Sequence, residues 1–120
     1  MQQFAAGPWD EFDKDAALGR VGGDIDLLKE IARLFLDDCP RSLTELREAA
    51  ARNDCSAVER SAHTLKGASA NFGATRLVSA ALDIEKMGHA GTLDNFVPAL
   101  VEVESALDAL RAELEVMIAS

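Results

Sequence analysis

Seven apolar residues in the last quarter of the chain, Phe96, Leu100, Val103, Leu107, Leu110, Leu114 and Met117, are separated alternately by four and three positions. Steps of four and three keep side chains on one stripe of an α-helix, whereas a strand, with a period of two, would scatter them over both faces. Such a seam is unstable alone in water and needs other helices to cover it. The chain is therefore expected to supply those helices itself.

They can be read upstream. Asp24 has the side chain of an N-cap, and Ile25, Leu28, Ile31, Ala32, Phe35 and Cys39 follow at helical spacing. Pro40 interrupts that run, yet Leu43, Leu46 and Ala50 resume it, which predicts one long helix bent at Pro40 or two helices meeting there. Asn53 and Asp54 close it and can cap a third helix, from about Cys55 to Asn71, with Val58, Ala62, Leu65, Ser69 and Phe72 inside and Gly73 as its stop. A fourth is expected from Thr75 to Met87, burying Leu77, Ala80, Ala81 and Ile84 and ending in the run Gly88-His89-Ala90-Gly91. A short helix from Trp9 to about Arg20, anchored by Phe12, Leu18 and Val21 and stopped at Gly22-Gly23, precedes them, after a flexible lead-in over residues 1–8. Short connections make neighbours antiparallel, so the expected fold is all-α: an up-and-down four-helix bundle with a small additional N-terminal helix, in one domain over residues 9–120.

Composition supports this and narrows function. Tyr is absent, aromatics are 5% and the length is 120 residues, enough for one core. The net charge of -9 repels a nucleic-acid backbone. No apolar run approaches the roughly 20 residues that span a bilayer, and the N-terminus has no signal-peptide layout, so the simplest address is the cytoplasm. The initiating Met1 favours a free-standing protein. Cys39 and Cys55 read as small buried residues kept reduced; their spacing with His63 and His89 fits no zinc-ligand pattern, so no metal is expected.

The third helix carries the candidate chemistry. At about 100° per residue, His63 points roughly 160° away from Leu65 and about 180° away from Phe72, out of the core. The same arithmetic places Glu59, Arg60, Lys66, Gly67 and Ala70 within about 60° of it. Glycine inside a helix costs about 1 kcal/mol relative to alanine. Gly67 therefore needs a reason: access to His63 from outside, or close packing with another helix, against which its outward direction argues. A water-exposed neutral imidazole is a competent nucleophile, and attack on an activated phosphoryl group would give a phosphoramidate whose charge Lys66, with Arg60, could offset while Glu59 opposes them. His89, between Gly88 and Ala90, reads as a helix-terminal or loop residue in a turn rather than a second phosphosite.

The segment Ala62-His63-Thr64-Leu65-Lys66-Gly67-Ala68-Ser69-Ala70-Asn71-Phe72-Gly73 resembles the H-x-L-K-G core and following glycine of histidine-containing phosphotransfer (HPt) domains. The resemblance runs from about Phe12 to the end, through Gly22-Gly23-Asp24, the Phe35-to-Pro40 stretch and the Asn53-Asp54 turn. It implies that His63 is phosphorylated through its outer ring nitrogen, that Lys66 supports the phosphoryl group and that Gly67 leaves room for a receiver domain; Arg60 and Ala70, on the same outward strip, are expected at the partner surface. It also implies response-regulator receiver domains and a sensor or hybrid histidine kinase as partners; the chain is expected to be a monomer. No intrinsic cofactor is implied: the aspartyl phosphate and Mg2+ belong to the receiver, and no glycine-rich nucleotide loop is present here. Two other classes stand behind this reading. One is a helical adaptor that binds receiver or kinase domains without carrying phosphate; the other, a hydrolytic or metal enzyme, finds no supporting constellation.

Overall fold

The computed structural model describes residues 11–120. Five helices make up the described chain: α1 (Lys14–Arg20), α2 (Ile25–Ala51), α3 (Cys55–Ala70), α4 (Thr75–Ala90) and α5 (Phe96–Ala119). The lead-in over residues 1–8, and Trp9 with it, lie outside the described residues. Helices α2 to α5 pack in a ring, each against its sequence neighbour and α5 back against α2, while α1 covers α2 at one end. This is the expected antiparallel bundle with one additional helix.

Three aspartates start helices in the same way. Asp13, Asp24 and Asp54 each accept a hydrogen bond at 3.0 Å from the backbone N–H three residues ahead, satisfying one otherwise unpaired donor of the first turn. Of the stops, Asn53 takes a positive φ of 54°, which asparagine tolerates better than most side chains, and Gly91 ends α4 at φ 78°. Helix α2 runs through Pro40 as a single element, the first of the two expected alternatives. Its packing on either side of the proline, through Phe35 and Cys39 before it and Leu46 and Ala49 after it, sustains the helix despite the missing donor.

Two boundaries differ from expectation. Phe12 precedes α1 rather than lying within it, but is fully buried all the same: it meets Phe72 edge-on with ring centroids 6.2 Å apart, and Phe72 packs against Phe35 of α2 at 5.0 Å. The Asp13 N–H donates to the Phe72 carbonyl at 2.9 Å, and a Cβ on Gly73, whose φ is +60°, would stand 2.5 Å from the Asp13 Cβ. Gly73 thus serves both as the left-handed stop of α3 and as the place where the leading segment crosses it. Glu113 of α5 clamps the same segment, its carboxylate accepting from the N–H groups of Glu11 and Phe12.

The second difference is the end of α4. It continues three residues past Met87 to Ala90, so Gly88 and His89 are helical rather than in a turn. Gly88 is buried against α3: a Cβ there would lie 2.7 Å from the Cys55 carbonyl oxygen and 2.7 Å from the Glu59 backbone nitrogen. The glycine lets the two helix backbones touch, and local sequence could not distinguish that from a stop signal.

The core matches the periodicity closely. Val58, Ala62, Leu65, Ser69 and Phe72 of the third segment are all buried, as are Phe96, Val103, Leu107, Leu110, Leu114 and Met117 of the final seam, with Leu100 half-buried. Ser69, the one polar core member among the described residues, donates to the Leu65 carbonyl at 2.7 Å and so enters the core satisfied. Cys39 is buried and Cys55 half-buried; both are free thiols, and burial pushes the Cys39 thiol up to about 11. None of the described helices is long and apolar enough to cross a membrane.

Candidate functional site

His63 stands on the outer face of α3, its side chain 66% exposed. Burial of Ala62 and Leu65 on the opposite stripe fixes that direction, so the imidazole is held out by the helix and not by a loop. Across from it, Glu85 of α4 is only 18% exposed and reaches both candidate residues: Oε2 is 2.9 Å from His63 Nδ1, and Oε1 is 2.7 Å from Lys66 Nζ.

This shared carboxylate is the residue that sequence reasoning missed. Its 22-residue separation from His63 carries no local signal, because it arises from the pairing of two antiparallel helices. Hydrogen bonding to Lys66 is the largest influence holding the Glu85 carboxyl below its usual range; partial desolvation pulls the other way, and His63 adds to the lowering. An ionised carboxylate only accepts, so the proton on His63 sits at Nδ1 and the Nε2 lone pair faces water. Nε2 makes no hydrogen bond among the described residues.

Gly67 is exposed, one turn beyond His63, and a Cβ placed on it would meet nothing within 4 Å. The close-packing explanation therefore fails for Gly67; that role belongs to Gly88. Arg60 is exposed and donates to Ser56 Oγ at 2.7 Å, directed back along α3 rather than toward His63. Ala70 is half-buried in the last turn of α3. Glu59, expected to oppose the cations around His63, instead turns to α4, where its Oε2 lies 3.0 Å from His89 Nδ1.

A shallow groove of about 350 Å³ runs beside this face between α2 and α3, lined among others by Ile31, Leu34, Asp38, Thr64, Ala68 and Asn71. Leu34 is 57% exposed there. A larger cleft lies apart from His63, around Asp13, Asp15, Arg76 and Glu102, where Arg76 is tied to Glu102 at 2.8 Å. Among the described residues no group of three or more His, Cys, Asp or Glu side chains is placed to hold a metal ion.

An outward imidazole on a bundle helix, with a lysine one turn on and an open glycine beside it, defines a class, and comparison with known proteins agrees. The family model for the Hpt domain matches residues 30–113, and the chain belongs to that family. It is 29% identical over 98 residues to histidine-containing phosphotransfer protein 2 of Arabidopsis thaliana, an alignment covering 79% of this chain and 63% of that protein; the chain thus spans less than two thirds of its relative's length. Its fold is that of histidine-containing phosphotransfer protein B (HptB) from Pseudomonas aeruginosa PAO1, with a TM-score of 0.84, 21% identity and coverage of 91% of this chain and 95% of the other.

Proposed function

We propose that this protein is a phosphoryl carrier of a two-component phosphorelay, in which His63 takes a phosphoryl group from the aspartyl phosphate of a receiver domain and passes it to another. The observation that carries the reading is the Glu85 carboxylate on His63 Nδ1, which leaves the Nε2 lone pair exposed for attack. In the forward step Nε2 bonds to phosphorus, the bond from phosphorus to the aspartate oxygen breaks, and the carboxylate leaves with the electron pair. The ring becomes a phospho-imidazolium whose Nδ1 proton faces Glu85, so the carboxylate stabilises the charge that develops. Onward transfer is the reverse, with neutral imidazole as leaving group.

Lys66, 26% exposed, rests on Glu85 and is within a side-chain rotation of the incoming phosphoryl oxygens. The receiver supplies the aspartyl phosphate and Mg2+. This chain contributes the nucleophile, one carboxylate and one ammonium, and needs no ATP. A receiver covers His63, the flat surface at Gly67 and the groove beside Leu34 and Ala68, with Ala70 and Arg60 at its margins. The carrier works in the cytoplasm as a monomer, downstream of a sensor or hybrid histidine kinase.

The test is incubation of wild type, His63→Gln and Lys66→Ala with a panel of phosphorylated receiver domains. Acid-labile, alkali-stable label is expected on the wild type, about tenfold more slowly on Lys66→Ala, and not at all on His63→Gln. Equal receiver-donated labelling of His63→Gln and wild type would overturn the assignment. Receiver binding with no labelling of the wild type would establish the adaptor instead.

A further inference from the structure

Helices α3 and α4 carry the same two residue types at the same spacing: Glu59 and His63 on one, Glu85 and His89 on the other. Because the helices are antiparallel neighbours, the pairs cross. His63 Nδ1 meets Glu85 at 2.9 Å, and His89 Nδ1 meets Glu59 at 3.0 Å. The second contact is enforced by the backbone, since Gly88 brings α4 onto Cys55 and Glu59 immediately beside it.

The consequence for His89 is the same as for His63. A carboxylate at Nδ1 holds the proton there and turns the Nε2 lone pair outward, on a side chain 80% exposed whose Nε2 has no hydrogen-bond partner among the described residues. Lys86 lies one turn earlier on α4, exposed and on the same side of the helix, as a source of positive charge.

We propose that His89 is a second phosphoryl-accepting imidazole, charged by a small phosphoramidate-class donor rather than by a docked receiver. Nε2 forms the new bond to phosphorus while the phosphorus–nitrogen bond of the N-protonated donor breaks, and ammonia leaves with the electron pair. The Nδ1 proton remains between the ring and Glu59. Two features separate this site from His63. The phosphoryl group would stand in the last turn of α4, where the helix carbonyls disfavour added negative charge, and α4 ends one residue after His89, so no further helical turn with a lysine and an open glycine follows it as one follows His63. His89 is therefore the slower acceptor, and it lacks the continuing helical surface on which a receiver would dock.

The experiment treats His63→Gln protein with phosphoramidate and follows intact mass under alkaline conditions. One added phosphoryl group per chain is expected, absent from His63→Gln/His89→Gln, and acquired about fivefold more slowly by His63→Gln/Glu59→Ala, where the Nδ1 partner is gone. No mass gain in His63→Gln, gain that persists without His89, or a rate indifferent to Glu59→Ala would each overturn the proposal. Because the donor here is a small molecule, the outcome is independent of whether receivers label His63.

Discussion

Gly67 and Gly88 both sit inside helices at the α3–α4 pair, and they do opposite things. At Gly88 the missing Cβ is filled by the backbone of α3 at 2.7 Å, so the two helices are joined without side chains. At Gly67 the missing Cβ leaves open space, and on that turn α3 is tied to α4 by charge instead, through the carboxylate of Glu85. Glycine costs a helix about the same wherever it sits in the interior, so each needs an offsetting gain. For Gly88 the gain is packing; for Gly67 nothing among the described residues supplies it, in keeping with the proposed approach of a partner.

The comparison can be broken most forcefully at Gly88. Gly88→Leu forces a side chain into the Cys55 and Glu59 backbone and is expected to cost about 3 kcal/mol or more, read as a fall in the thermal midpoint of well over 10 °C at about 4–8 °C per kcal/mol. A midpoint within a few degrees of wild type would mean that α4 slides away from α3 easily and that the contact is incidental. Gly67→Arg should do the reverse, leaving the midpoint nearly unchanged while slowing receiver transfer about tenfold or more, which is about 1.4 kcal/mol of lost transition-state stabilisation. Equal transfer rates would remove the approach role.

Gly67→Ala sharpens the contrast. With nothing to meet the added methyl, the helix should gain up to about 1 kcal/mol in denaturant unfolding, whereas Gly88→Ala should lose stability. The smallest effect concerns the charged tie. Glu85 has its folded pKa lowered, chiefly by Lys66, so its contribution is present above the unfolded value and is lost as pH falls through the folded one. In a His63→Gln background, where Lys66 is the remaining partner, the stability difference between Glu85 and Glu85→Ala should hold steady down to about pH 4.3 and shrink below it. A difference that stays flat through acidification would show that Glu85 acts there by packing alone.

The helices were legible because each is written in a local period: buried stripes at threes and fours, aspartate caps three residues ahead of their N–H partners, and a left-handed glycine after α3. The outward direction of His63 followed from the same geometry, since Ala62, Leu65 and Phe72 had to face inward. What local spacing could not determine was anything made by two helices at once. Gly88 looked like a stop, because a glycine near a helix end reads the same whether the chain turns there or another backbone presses against it. Phe12 looked helical, although its place is set by Phe72 and Glu113 from distant parts of the chain. Glu85 was one acidic residue among 21 Asp and Glu. Only the antiparallel docking of α4 on α3 singled it out, by carrying its carboxylate to the imidazole and the ammonium together. The sequence by itself determined the helices and the direction of His63, because those depend on neighbours within a turn or two; the tertiary structure decided which nitrogen of that ring faces a carboxylate, because that depends on a residue whose proximity exists only once the bundle has closed.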